Sequence, residues 1–204
     1  MISIHHKTIF VHIPKCAGQS VEAAFCEDLG LNWGKHRHLL ACMQRPASWR
    51  KDLPQRLAHL TAHDYVDKNF CPPEMFRDYF KFAIIRDPVD RLVSAWRYLP
   101  LDAGFAEFVE RDLPERMAED HFFFRSQKRY LCEPRSGRLL VDEVVPFSDL
   151  ARRWPMIAAR AGVHAPLRHR NKAPSTKPEP VVSDSDRARI RDAYAEDYAF
   201  FPEL

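Results

Sequence analysis

Thr8-Ile9-Phe10-Val11-His12-Ile13-Pro14-Lys15-Cys16-Ala17-Gly18-Gln19-Ser20 decides the fold. Its first six residues are β-rich and apolar and stop at a proline, the pattern of a short buried strand. Past the turn, Val21, Ala24, Phe25 and Leu29 recur at helical spacing, and Gly30 stands where a helix would end. A strand, a phosphate-sized turn and a helix follow one another. The small residues of the turn let backbone N–H groups approach an anion, and the helix aims its positive end at the same point. Lys15 adds a mobile charge and Ser20 a hydroxyl. The order differs from a Walker A loop, because G-x-x-x-x-G-K-[ST] is missing and the lysine precedes the small residues. Taken alone, the segment fits a plain strand–helix turn with a solvated lysine equally well.

A second unit of the same kind begins at Phe82-Ala83-Ile84-Ile85, another buried-strand pattern. Asp87 and Pro88 supply an N-cap and a first helical residue, and Val89, Leu92, Val93 and Trp96 line one helix face. Arg86 leaves the strand end as a fixed cation able to grip phosphate with two N–H groups, and Ser94 lies two turns into the helix. A capped amphipathic helix whose Arg86 pairs with Asp87 or Asp90 is the plainer reading of this segment alone.

Elsewhere the pattern predicts a helix near residues 49–60, a strand over 60–65, helix over 104–132 and extended chain over 139–147. Ser148 is expected to cap a helix that Pro155 kinks or splits, and Ser183 with Asp186 to open the last one as a capping box. Residues 173–180, with three prolines, read as an ordered loop or flap. Strands alternating with helices imply an α/β fold with a mainly parallel central sheet flanked by helices, ligands binding beyond the carboxyl ends of the strands.

A length of 204 residues suits a single domain over the whole chain, 1–204. The net charge of +3 is too small to announce a nucleic-acid partner but allows a local basic site. No apolar run reaches the ~20 residues of a membrane span, and Met1 to Lys7 lacks the apolar core of a signal peptide, so a cytoplasmic protein is expected. The five cysteines, odd in number and without C-x-x-C, read as reduced thiols. His59 and His63 flank Leu60-Thr61-Ala62 rather than an H-E-x-x-H core, and no metal is expected. Cys16 at a helix N-terminus raises the thought of a nucleophile. A cysteine phosphatase would carry C-x-x-x-x-x-R, whereas Glu22 stands at the arginine's place.

Together the two units change the reading. A strand with P-K-x-x-G-x-S, then about seventy residues on a strand with R-D-P-x-x-R-x-x-S-A-W, resembles the sulfotransferases that use 3′-phosphoadenosine-5′-phosphosulfate (PAPS). The likeness is nearer to the carbohydrate branch, of heparan 2-O and chondroitin type. Ser126-Gln127-Lys128-Arg129-Tyr130-Leu131 is similar to that branch's P-Q-x-x-Y-L. Leu167-Arg168-His169-Arg170-Asn171-Lys172-Ala173 resembles its L-x-x-x-N-x-S loop, and residues 194–201 its closing Y-x-x-D-Y-x-x-F. Two positions depart: Gln19 stands where a hydroxyl residue is usual, and Ala173 where a serine is common.

The resemblance implies a P-loop-like three-layer fold and sulfuryl transfer from PAPS to an acceptor hydroxyl of a carbohydrate, glycoconjugate or small molecule, leaving 3′-phosphoadenosine 5′-phosphate. It implies that Lys15, Cys16, Ala17, Gly18, Gln19 and Ser20 bind the 5′-phosphosulfate, Arg86 and Ser94 the 3′-phosphate, and that Arg168 and Lys172 belong to a segment closing over the nucleotide. Lys15 would also neutralise the leaving oxygen. The proton acceptor is expected at His63, with His59 as understudy, because Thr61-Ala62-His63-Asp64-Tyr65 resembles the family's histidine segment. A P-loop kinase-like phosphotransferase and a non-catalytic nucleotide-binding protein are the rivals. Residues 33–38, 49–51 and 122–125 mix bases and aromatics; Phe122 to Phe124 read as core, and the others as either core or acceptor cleft.

Overall fold

The computed structural model describes residues 1–40, 57–168 and 177–204. The helix expected near 49–60 lies mostly outside them, and its last residues, Leu57–His59, form a single 3-10 turn.

The architecture is mixed α/β, a four-stranded sheet flanked by helices. The strands β1 (Ile2–Ser3), β2 (Thr8–Val11), β3 (Phe80–Ile85) and β4 (Glu143–Pro146) lie side by side in that order. β1 pairs antiparallel with β2; β2, β3 and β4 are parallel, Phe10 opposite Phe82 and Ala83 opposite Val144. Every residue of β2 is buried, as is β3 from its second residue on, which is why both segments read as unbroken apolar runs rather than alternating ones.

Between β2 and β3 the chain forms α1 (Gly18–Asp28) and the short α2 (Trp33–His36), α3 (Asp64–Asp67) and α4 (Pro73–Asp78). Between β3 and β4 come α5 (Pro88–Tyr98), α6 (Phe105–Glu107), α7 (Leu113–Ala118) and α8 (Gln127–Leu131). After β4 follow α9 (Leu150–Ala161), α10 (Asp184–Ala193) and α11 (Ala195–Phe200). One apolar cluster joins the sheet to α1 and α9 through Phe10, Phe25, Phe82, Val145 and Ile157. A second joins α5 to α10 through Leu92, Trp96, Phe108, Phe124, Ile190 and Tyr194.

Local chemistry sets several boundaries. Asp87 caps α5, accepting from the N–H groups of Val89 (2.9 Å) and Asp90 (3.1 Å), with Pro88 next. Gly30, at φ +68, takes the left-handed position just past α1. Ser183 and Asp186 form the reciprocal capping box that opens α10.

Four expectations are corrected. Residues 60–65 form a turn and the start of α3, not a strand. Thr61 N–H and Oγ1 donate to the Asp64 carboxylate and Asp64 N–H to Thr61 Oγ1, a second T-x-x-D start. Residues 104–132 are broken between α7 and α8, where Asp120 adopts φ +53. Ser148 sits inside a 3-10 turn (Phe147–Asp149) and does not cap α9. Pro155 does not split α9, which runs through it with the exposed proline inside the helix.

Candidate active site

The carboxyl ends of β2 and β3 open into a cavity of about 470 Å³. The first turn enters it under backbone strain. Lys15 and Ala17 lie at φ +67 and +56 with no glycine to ease the conformation, at about 1–2 kcal/mol each. Alternating left-handed residues turn successive N–H groups to one side, the geometry of an anion nest. Ala17 is the N-cap of α1 and has no side chain that can cap it. Gly18 follows, and a Cβ there would fall 1.8 Å from His12 Nε2. The turn therefore keeps its glycine because an imidazole occupies that space.

Lys15, Ala17, Gly18, Gln19 and Ser20 line the cavity together with Arg86 and Ser94, contributed from some seventy residues away. The Lys15 ammonium lies 4.1 Å from the centre of the Tyr98 ring. Burial, and then the Arg86 charge, bring it down to about 8 from the ordinary lysine value. The Arg86 guanidinium stacks over Phe147 (4.6 Å) and reaches the Lys15 carbonyl with Nη1 (3.4 Å), but its buried Nε has no partner among the described residues. A buried unpaired guanidinium N–H is costly, and an anion would satisfy it. Phe147, Leu150, Ala151 and Leu167 form an apolar wall suited to a flat ring system.

Cys16 contributes only backbone. Its thiol is fully buried between the Pro14 carbonyl (3.6 Å) and Gln127 Oε1 (3.7 Å), and burial pushes it up to about 11. A neutral, inaccessible thiol is no nucleophile. Arg168 lies outside the cavity, exposed and ion-paired with Glu27 at 2.9 Å. Lys172 and Ala173 lie outside the described residues.

His63 is not brought to this cavity. Because residues 60–65 turn into α3 instead of extending a strand, His63 lines a second one, of about 510 Å³, with Lys68, Arg125, Arg129 and Glu133. There its Nε2 lies 3.7 Å from Asp67. His59 lines the cavity of Lys15. Its Nδ1 is 2.9 Å from the His12 carbonyl oxygen, an acceptor only, so Nδ1 carries a proton. Phe122 stacks on this ring at 5.5 Å, and Phe123 lines the cavity itself. Of the Phe122 to Phe124 run, only Phe124 is purely core.

Three supporting residues escape a reading of motifs alone. Arg91, 2% exposed, donates to the carbonyls of Pro14 (3.2 Å), Phe123 (3.1 Å) and Arg125 (2.9 Å), pinning the anion turn to the segment after α7. Gln127, fully buried, takes the Arg86 N–H on Oε1 and donates Nε2–H to the Arg86 carbonyl, both at 2.8 Å. Its backbone N–H and that of Lys128 are capped by Asp197 at 2.9 and 2.8 Å. Arg91 and Gln127 stand inside quoted motifs; their inward direction was the missing signal.

A strained turn, a helix N-terminus and two converging cations beyond the ends of parallel strands define an α/β protein with a basic cavity suited to an anion. The Sulfotransferase family matches residues 1–202, and the chain belongs to that family. Neither the curated proteins nor the solved structures give a match. Among the described residues, no helix is long and apolar enough to cross a membrane.

Proposed function

We propose that this sulfotransferase takes its sulfuryl group from PAPS and passes it to a hydroxyl of a carbohydrate or glycoconjugate, on a P-loop-like scaffold. The observation that carries the reading is that Arg86, whose buried Nε is unpaired, lines one cavity with Ser94 and the strained Lys15 turn. Two cations converging on one cavity suit a nucleotide phosphorylated at both ends, and the apolar wall of that cavity suits its adenine. PAPS supplies an activated sulfuryl group whose departure leaves charge on a 5′-phosphate oxygen.

The residues then have these tasks. Lys15 and the first turn of α1 hold the phosphosulfate end and balance the charge that grows there. Arg86 and Ser94 hold the 3′-phosphate. His59, its tautomer set by the His12 carbonyl, accepts the proton of the attacking hydroxyl. The cations of the turn do this work without calling on a metal. The carbohydrate acceptor rests on the resemblance of residues 126–131 and 194–201 to that branch.

Calorimetric titration tests the assignment. The 3′,5′-bisphosphate should bind much more tightly than adenosine 5′-phosphosulfate lacking the 3′-phosphate, and Arg86→Ala should erase most of the difference. Equal binding of the two by the wild type would remove the 3′-phosphate role, and tighter binding of ATP than of either would favour a phosphotransferase. Labelled PAPS with a panel of glycans and small alcohols then identifies the acceptor.

A further inference from the structure

The imidazole of His12 has no task in that scheme, although it lines the same cavity and is only 6% exposed. It packs between Phe10, stacked at 5.6 Å, and the edge of His59 at 4.4 Å. Its Nδ1 lies 2.6 Å from Glu22 Oε1, and Glu22 Oε2 accepts from Trp33 Nε1 at 3.1 Å. Burial pushes the Glu22 carboxyl up, but the His12 charge and hydrogen bond, with the Trp33 N–H, outweigh it and hold it down at about 2. An ionised carboxylate only accepts, so Nδ1 of His12 carries a proton whatever the ring's charge. The other nitrogen, Nε2, sits against Gly18, where a Cβ would fall 1.8 Å away. That is the first turn of α1, the anion cradle itself.

A neutral His12 therefore turns a lone pair toward a site built to gather anionic oxygens. Protonation of Nε2 converts that lone pair into a charged donor whose counter-ion, Glu22, is already buried behind it. Lys15 from the turn, Arg86 from the end of β3 and His59 from its 3-10 turn are the other charged or titratable groups lining that cavity. A phosphate bound there would bring the negative charge that such a donor meets.

We propose that His12 is an anion ligand of the nucleotide site, taking a proton on Nε2 as the phosphoryl end settles on the first turn of α1 and donating it to an anionic oxygen. The proposal rests on the PAPS reading above.

The probe is the 3′,5′-bisphosphate, titrated calorimetrically at pH 7 in two buffers of different ionisation enthalpy, which counts protons taken up on binding. Lys15 cannot account for a large uptake there. With a value of about 8 it lacks only about a tenth of a proton at pH 7. Each phosphate monoester, with its second ionisation near pH 6, would release roughly a tenth. The wild type should take up a substantial fraction of a proton, and His12→Gln should lose most of that uptake. The same change should weaken binding about 10–100-fold at pH 6, the worth of a charge-assisted contact, and little at pH 8.5. Glu22→Gln, which keeps the shape but removes the counter-ion, should at least halve the uptake. That arm serves if His12→Gln fails to fold, and His59→Gln should retain the uptake.

If the bisphosphate binds with the Arg86 dependence predicted above while uptake is the same in wild type, His12→Gln and Glu22→Gln, the role of His12 is overturned and the nucleotide reading stands. Loss of uptake in His59→Gln alone gives the proton to His59 and likewise overturns it. No binding of the bisphosphate at all overturns both.

Discussion

Lys15 holds its ammonium in a left-handed turn, partly withdrawn from water beside Tyr98 and Arg86. A cation held this way is poorly solvated and well placed for charge that appears only in the transition state. Lys15→Ala should lower kcat by about 10²–10³ and weaken the bisphosphate by less than about tenfold. A raised KM at unchanged kcat would make it a binding residue instead. For the proton acceptor, His59→Ala should lower kcat by about 10²–10⁴ and abolish the acidic limb of the pH profile, whereas His63→Ala should leave both near normal. The reverse pattern would return the role to His63 and imply that residues 60–65 move on acceptor binding. These two histidines also show where motif reading stops. Their spacing suits one strand face or one helix face, but the chain turns between them, where Thr61 and Asp64 open α3, and the rings enter different cavities.

Helix α8 is only five residues long, yet it joins the Lys15 turn to the Arg86 segment. Gln127 occupies both backbone polar groups of Arg86 and the Cys16 thiol, while Asp197 of α11 caps the helix start. Burial raises the Asp197 carboxyl, and the N–H groups of Gln127 and Lys128 oppose that rise. Asp197→Ala leaves two buried N–H groups unpaired, so about 2–4 kcal/mol of stability should be lost. Thermal denaturation should read this as a drop of roughly 5–15 °C. Gln127→Leu keeps the volume but frees Arg86, and should reduce discrimination between the bisphosphate and its 3′-dephospho analogue at little change in secondary structure. If that discrimination survives in full, Gln127 supports the fold alone. Both residues fall in the segments that resemble the family pattern at 126–131 and 194–201, so those segments act as braces behind the site.

Across the whole molecule, what could be read from the sequence was whatever local chemistry determines. β2 and β3 were legible because full burial demands unbroken apolar runs, and α5 and α10 because their caps are written in side chains. The short helices around 60–78, and the breaks that divide the helical stretch of 105–131, depend on packing against distant residues and were not. The anion turn was legible in composition but not in cost, and that cost reaches the stability of the fold. Lys15 loses its proton more readily in the native state than in the unfolded chain, so between about pH 8 and 10.5 the unfolded chain binds more protons and stability rises with pH. Below about pH 8 the native protein carries the full penalty of that half-buried charge. Glu22 has the opposite sign: held at about 2 against an ordinary 4.5, it contributes stability above about pH 5 that disappears as the pH falls toward 2. Lys15→Met should therefore stabilise the ligand-free protein at pH 7 by about 0.5–2 kcal/mol, the usual return for relieving a functional site. The gain should shrink as the pH rises from about 8 through 10.5 and vanish only above it, where the lysine is neutral in both states. Adding the bisphosphate should reverse the order, since the wild type regains a partner for its ammonium and the methionine cannot supply one. Melting curves of both proteins at pH 7 and pH 10, with and without the bisphosphate, give all four comparisons. A Lys15→Met protein less stable than wild type without ligand would show that the Tyr98 contact outweighs desolvation, and that the turn is not held at the expense of the fold.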